Sequence, residues 1–278
     1  CQHNHAQGWP YFTEHLVLAT PDNGVATAIY AACKATVKVG DGKEITLHEE
    51  TNYPFEEGIA FTVSTDEKVA FPYFRIPSWT QKAEVRVNGK KVSAAPVAGK
   101  YLCINREWAN GDRVELTLPM SLSMRTWQVN KNSVSVDYGP LTLSLKIAEK
   151  YVEKDSRETA IGDSKWQKGA DSKKWPTTEI YPDSPWNYSL VLDKKEPLKN
   201  FKVIRKSWPA DNYPFTVASV PLEVKAIGRP VPEWKIDETG LCGVLPEEDA
   251  VKGDKEEITL IPMGAARLRI SAFPNTKE

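Results

Sequence analysis

The chain has 278 residues, 41% hydrophobic and 26% charged, which is enough for one large or two ordinary domains with buried cores. Its 36 Lys and Arg against 37 Asp and Glu leave a formal charge of −1, so there is no positive field to hold a nucleic-acid backbone. No apolar run reaches the roughly 18 residues of a spanning helix, so no membrane span is expected, and the start lacks a basic n-region and an apolar h-region.

The first residue is Cys1, which admits two readings: a lipid anchor, or a nucleophile using its own α-amino group as base. An anchor is ordinarily followed by a flexible polar tether, whereas here an apolar pattern begins within ten residues. Pro10 suits a first helical turn, because its missing N–H would be unpaired there. Trp9, Phe12, Leu16 and Ala19 then form one helical stripe, predicting a three-turn helix that Thr20-Pro21-Asp22-Asn23-Gly24 ends with turn chemistry. So short a helix draws its stability from what it packs on.

From Ala35 the pattern changes to short β-type runs about ten residues apart, the spacing of sandwiches and barrels. Strands are predicted at 35–39, 44–50, 59–64, 69–76 and 84–87, the last joined across Asn88-Gly89 to 91–92. Asn-Gly favours a type I′ hairpin, since both residues tolerate positive φ. Further strands are predicted at 101–105, 113–118, 123–129, 133–136 and 141–147. Residues 149–186 break the rhythm with Gly162, Gly169, Pro176, Pro182 and Pro185, and read as a long connection. Later strands are expected at 189–192, 201–205, 215–226, 257–261 and 267–272, with loops at 228–253.

His3, His5 and His15 crowd near Cys1, a set of residue types that can ligate zinc, though the spacing matches no closed zinc site and local hydrogen bonding accounts for it as well. Cys33, Cys103 and Cys242 stand in no CxxC spacing and form no disulfide framework; Cys103, inside a strand pattern, reads as a small buried hydrophobe. Nine Trp residues supply both core packing and faces on which sugar rings stack. Trp186, in Asp183-Ser184-Pro185-Trp186-Asn187-Tyr188, reads either as a rigid loop anchor or as a substrate-binding platform. There is no Gly-rich phosphate loop, GxSxG elbow or HExxH.

Several phrases taken together, in order, resemble glycoside hydrolase family 127, the β-L-arabinofuranosidases and their relatives. They are Cys1-Gln2-His3-Asn4 with Gly8-Trp9-Pro10, Thr51-Asn52-Tyr53-Pro54-Phe55, Phe74-Arg75-Ile76-Pro77-Ser78-Trp79, Val87-Asn88-Gly89-Lys90, Asp137-Tyr138-Gly139-Pro140-Leu141, Pro185-Trp186-Asn187-Tyr188 and the closing Leu260-Ile261-Pro262 to Phe273-Pro274. The resemblance implies an (α/α) barrel carrying the active site, followed by two β-sandwiches. This chain would then be all-β: two jelly-roll-like sandwiches preceded by one short helix left over from the barrel. Residues 1–26 would hold that helix and 27–147 the first sandwich, completed by a strand at 264–274; residues 148–263 would form the second.

Members of the family hold zinc with one Glu and three Cys, and one Cys of a consecutive pair attacks the anomeric carbon with retention. On this resemblance Cys1 matches the second of the pair, a zinc ligand, and the nucleophile is expected directly before residue 1. Zinc belongs to the full-length parent, and the chain of 278 residues is expected to bind none and to be inactive alone. The implied substrate is a plant-type glycan or oligosaccharide bearing terminal β-L-arabinofuranosyl units. A homodimer completes the expectation, while the compartment stays open among cytoplasm, periplasm and cell exterior, the last two slightly favoured. The rivals are a pair of carbohydrate-binding modules and a structural or interaction domain without ligand.

Overall fold

The computed structural model describes residues 6–70, 73–155, 171, 173–247 and 250–278. Among the described residues the protein is predominantly β, with one short α-helix, and it divides into two compact units, Cys1–Ser121 and Leu122–Glu278.

The first unit opens with helix α1 (Gly8–Glu14) and the hairpin β1 (Val17–Ala19) and β2 (Val25–Thr27). Strands β3 (Cys33–Val39), β4 (Lys43–Thr51) and β5 (Gly58–Thr65) follow as an antiparallel meander. Then come β6 (Val69–Ala70), β7 (Tyr73–Arg75), β8 (Glu84–Val87), β9 (Lys90–Lys91), β10 (Tyr101–Cys103), β11 (Glu107–Trp108) and β12 (Arg113–Thr117). They form a six-stranded sheet of order β3-β4-β5-β12-β8-β9, a four-stranded sheet of order β1-β2-β7-β10 and the pair β11-β6.

Period-two alternation decides which face each strand buries. On β4, Ile45, Leu47 and Glu49 point inward while Glu44, His48 and Glu50 point out; on β5 the inward set is Ile59, Phe61 and Val63. These meet Val25, Phe74, Ile76 and Leu102 in one apolar core, where the Phe61 and Phe74 rings lie 5.3 Å apart in a tilted pair. Asn88 and Gly89 take φ of 49° and 76°, as the β8–β9 turn requires. Asn88 also clamps the sheet: its Nδ2 donates to Asp112 Oδ1 at 2.7 Å and its Oδ1 accepts from Arg113 N at 2.8 Å.

In the second unit β13 (Leu122–Trp127), β14 (Ser133–Tyr138) and β15 (Leu141–Leu145) lead into the pair β16 (Glu149–Lys154) and β17 (Thr177–Pro182). After these come β18 (Tyr188–Leu192), β19 (Lys202–Arg205), β20 (Leu222–Pro230), β21 (Glu256–Pro262) and β22 (Asn275–Lys277). The main sheet runs β13-β14-β15-β21-β20-β18-β22, with β19 pairing β20. Every residue of β14 and β18 is buried, as expected of central strands covered on both faces.

Several expectations are corrected. The helix ends at Glu14, because Val17–Ala19 turns extended and pairs with Val25–Thr27 across the 20–24 turn; there the Thr20 hydroxyl accepts from Gly24 N at 3.0 Å. The apolar stripe at 9–19 thus belongs to two elements. The stretch 149–186 contains the hairpin β16–β17, whose strands carry little apolar signal because neither is fully buried anywhere. Residues 215–221 are not strand, and β20 begins at Leu222. Residues 267–272 carry no strand either; the chain returns to the main sheet of this unit through the Val134–Phe273 bridge and β22. Cys103 lies on the outward face of β10 and is exposed, because Leu102 takes the inward position.

Candidate functional site

Trp186 sits in the loop before β18 and is half-buried. Its ring meets Trp234 edge-on, with centroids 5.2 Å apart and planes at 66°. Trp234 is itself only 3% exposed, and its Nε1 donates to Gly243 O at 3.0 Å. The neighbouring Asn187 ties the two loops together, its Nδ2 donating to Val231 O at 2.9 Å and to Trp234 O at 3.1 Å. The two readings of Trp186 therefore meet in one residue, anchored on Trp234 and lining open space.

That space is a cleft of about 330 Å³ within the second unit. Tyr181, Ile236, Leu241, Arg267 and Arg269 join Trp186 in its lining. Ile236 and Leu241 are held out on a hairpin whose turn is organised by Asp237, whose Oδ1 accepts from Thr239 N and Leu241 N at 2.8 and 3.0 Å. These hydrogen bonds, the Thr239 hydroxyl first among them, lower the Asp237 pKa and keep it ionised. Arg267 is committed to Glu149, whose Oε1 accepts from Arg267 N at 3.0 Å and whose Oε2 lies 3.9 Å from the guanidinium. Arg269 Nε donates to Ala266 O at 2.7 Å, and Arg269 has no carboxylate partner among the described residues. Sequence reasoning selected Trp186 and missed the arginines, which lie in a segment misread as a strand.

A second polar group stands at one end of the first unit's core. Glu49 is 1% exposed, on the inward face of β4 opposite Cys33 and Phe61. Burial pushes its pKa up to about 8, against the opposing pull of the Ala31 backbone N–H and the Cys33 thiol. Cys33 Sγ lies 3.8 Å from Glu49 Oε2, while Oε1 has no hydrogen-bond partner among the described residues. Burial also raises the Cys33 pKa to about 11, so this thiol is not an activated nucleophile. Beside them the Tyr30 hydroxyl donates to Arg75 O at 2.5 Å. Glu49 is too enclosed to touch a substrate, and its burial favours the neutral acid. The sequence did carry a signal for it: a glutamate in phase with Ile45 and Leu47 on an alternating strand.

Of the residues proposed for metal, only His15 lies among the described residues. Cys1, His3 and His5 lie outside the described residues. His15 ends α1 with Nδ1 2.6 Å from Tyr11 O, the local arrangement that competes with a metal role. Among the described residues no three of His, Cys, Asp and Glu cluster as a metal site, so these residues do not supply the zinc site that the resemblance implies.

Both units are predominantly β, and the second carries an aromatic cleft lined by two arginines. Residues 24–120 match the family model described as beta-L-arabinofuranosidase, GH127 middle domain. No curated protein matches the chain by sequence. Among solved structures it is similar to a glycoside hydrolase (TM-score 0.60, 23% identity over 92% of this chain and 36% of that one). It is likewise similar to a GH127 beta-L-arabinofuranosidase from Geobacillus stearothermophilus T6 (0.61, 20%, 95% and 35%) and to a GH127 beta-arabinofuranosidase (0.57, 23%, 92% and 36%). These likenesses show the fold, and the chain spans about a third of the length of those structures.

Proposed function

We propose that this chain is the non-catalytic, two-sandwich portion of a retaining glycoside hydrolase of the GH127 type, whose complete form removes β-L-arabinofuranosyl units from plant-type glycans. The observation that carries the reading is the match of residues 24–120 to the middle-domain model, supported by a shared fold across more than nine-tenths of the chain. Helix α1 agrees with it. Its residues Trp9, Tyr11 and Phe12 are exposed and none of the helix is buried, which is the condition of a helix that packs on a further domain. On this reading zinc and the cysteine nucleophile reside with the catalytic barrel, and Cys1 joins the zinc ligands there. The zinc would hold the nucleophilic thiol ionised at neutral pH. The role of the described residues is to build the framework that carries the barrel.

The test is release of L-arabinose from β-L-arabinofuranosyl oligosaccharides by the product of the natural gene, with the 278-residue chain assayed beside it. Release by the natural product and none by the chain is expected. Release by the chain alone would overturn its non-catalytic role; no release by the natural product would overturn the arabinofuranosidase assignment. A second reading, a carbohydrate-binding module, is favoured by the position of Trp186 in an open cleft.

A further inference from the structure

We infer that the Trp186 cleft of the second unit binds a sugar residue bearing a carboxylate, a uronic acid within an acidic glycan, with Arg269 as its charge partner. The inference rests on the carbohydrate reading for its choice of a sugar ring, and on the cleft alone for the charge. The cleft's volume of about 330 Å³ falls at the lower end of the range for small-ligand sites. Its walls suit a pyranose ring, since Trp186 and Tyr181 line it with aromatic rings and Ile236 and Leu241 add apolar side chains.

Rigidity favours binding here. Trp186 is fixed against Trp234, and Asn187 holds both loops, so the platform is ordered before any ligand arrives and little entropy is lost on binding. Tyr181 is likewise held, its hydroxyl donating to Glu179 Oε2 at 2.5 Å.

Charge then selects among sugars. Among the described residues two cations line the cleft: Arg267, whose guanidinium lies 3.9 Å from Glu149 Oε2, and Arg269, whose Nε donates to the Ala266 carbonyl. Among the described residues the two terminal nitrogens of Arg269 have no carboxylate partner, and a guanidinium so placed can hold a carboxylate by paired hydrogen bonds. A neutral ring would leave that guanidinium unmatched, and an apolar peptide segment would strip it of water without compensation.

Titration calorimetry of the chain with trigalacturonate and with the neutral galactotriose tests the inference, using Trp186→Ala, Arg269→Gln and, as a control away from the cleft, Lys277→Gln. Trigalacturonate is expected to bind at least about tenfold more tightly than the neutral sugar. Arg269→Gln should abolish that preference, Trp186→Ala should weaken both sugars, and Lys277→Gln should change neither. Arg269 is exposed, so its variant keeps the fold even where Trp186→Ala disturbs the Trp234 contact. Equal binding of the two sugars, or a charge preference that survives Arg269→Gln, overturns the inference while leaving a neutral-sugar platform. No binding of either overturns it entirely. Neither result touches arabinose release by the natural gene product, so the two readings fail separately.

Discussion

Two buried glutamates behave in opposite ways, and the difference lies in their partners. Among the described residues Glu49 has the Cys33 thiol and the Ala31 backbone N–H as partners, and burial outweighs them, so its pKa rises to about 8. Glu223 is also buried, which by itself raises its pKa, but Lys146 and Lys206 each donate to its Oε1 at 2.6 Å and together lower it below the usual glutamate value. Between the unfolded value of 4.5 and about 8 the native state binds a proton at Glu49 that the unfolded chain does not. The stability this provides is present below pH 4.5 and lost as pH rises to about 8. Glu49→Gln should therefore flatten the melting temperature between pH 5 and 9 and make the variant the more stable form at pH 9, as differential scanning fluorimetry would show. For Glu223 the sign reverses: its contribution is present above pH 4.5 and lost as pH falls through its lowered native value. Glu223→Gln should lower stability at pH 7 and narrow the difference from the native chain in acid; a gap that stays constant down to pH 3 would refute this. Of these residues only the phase of Glu49 on its strand was legible in advance. The two lysines come from distant points in the chain, and no local pattern announces that they share one carboxylate oxygen.

At the level of elements, turns and alternation were the readable signals. Strand β8 ends at the Asn88-Gly89 hairpin as its sequence demands, and the backbone φ values at both residues are positive. What the sequence did not reveal is that the Asn88 side chain also satisfies the buried Asp112 and the Arg113 backbone. Asn88→Gly keeps the turn and loses the clamp, whereas Asn88→Ala loses both; urea unfolding should show a larger loss for Ala, by about 1 kcal/mol. Gly228 on β20 is a second such position. A Cβ there would lie 3.0 Å from Ile258 Cδ1 and 3.2 Å from Tyr188 Cδ1. Gly228→Val should destabilise the second unit by roughly 1–3 kcal/mol through overpacking, measured in the same way. The hairpin β16–β17 escaped detection for the opposite reason. Its strands have no buried face, and without burial there is no apolar alternation to read.

Across the whole molecule, Glu49 lies in the first unit and Glu223 in the second, and among the described residues they share no partner. The Glu49→Gln and Glu223→Gln effects should therefore add to within about 0.5 kcal/mol in the double variant at pH 7, and a larger coupling in urea unfolding would refute this. The near-neutral charge and the many short strands were properties of composition and pattern, and the sequence alone determined them: period-two alternation follows from the pleat, and turn residues from the steric limits on φ. Tertiary structure decided the rest. Whether the apolar stripe at 9–19 stayed helical depended on β1 pairing with β2, and where the C-terminal segment returned depended on Phe273 bridging to Val134. The cleft at Trp186 likewise exists only because residues near 181, 186, 236, 241 and 269 converge in space. Each of these outcomes turns on contacts between residues far apart in the chain, whose free energy is set by burial and partner geometry that no local window contains.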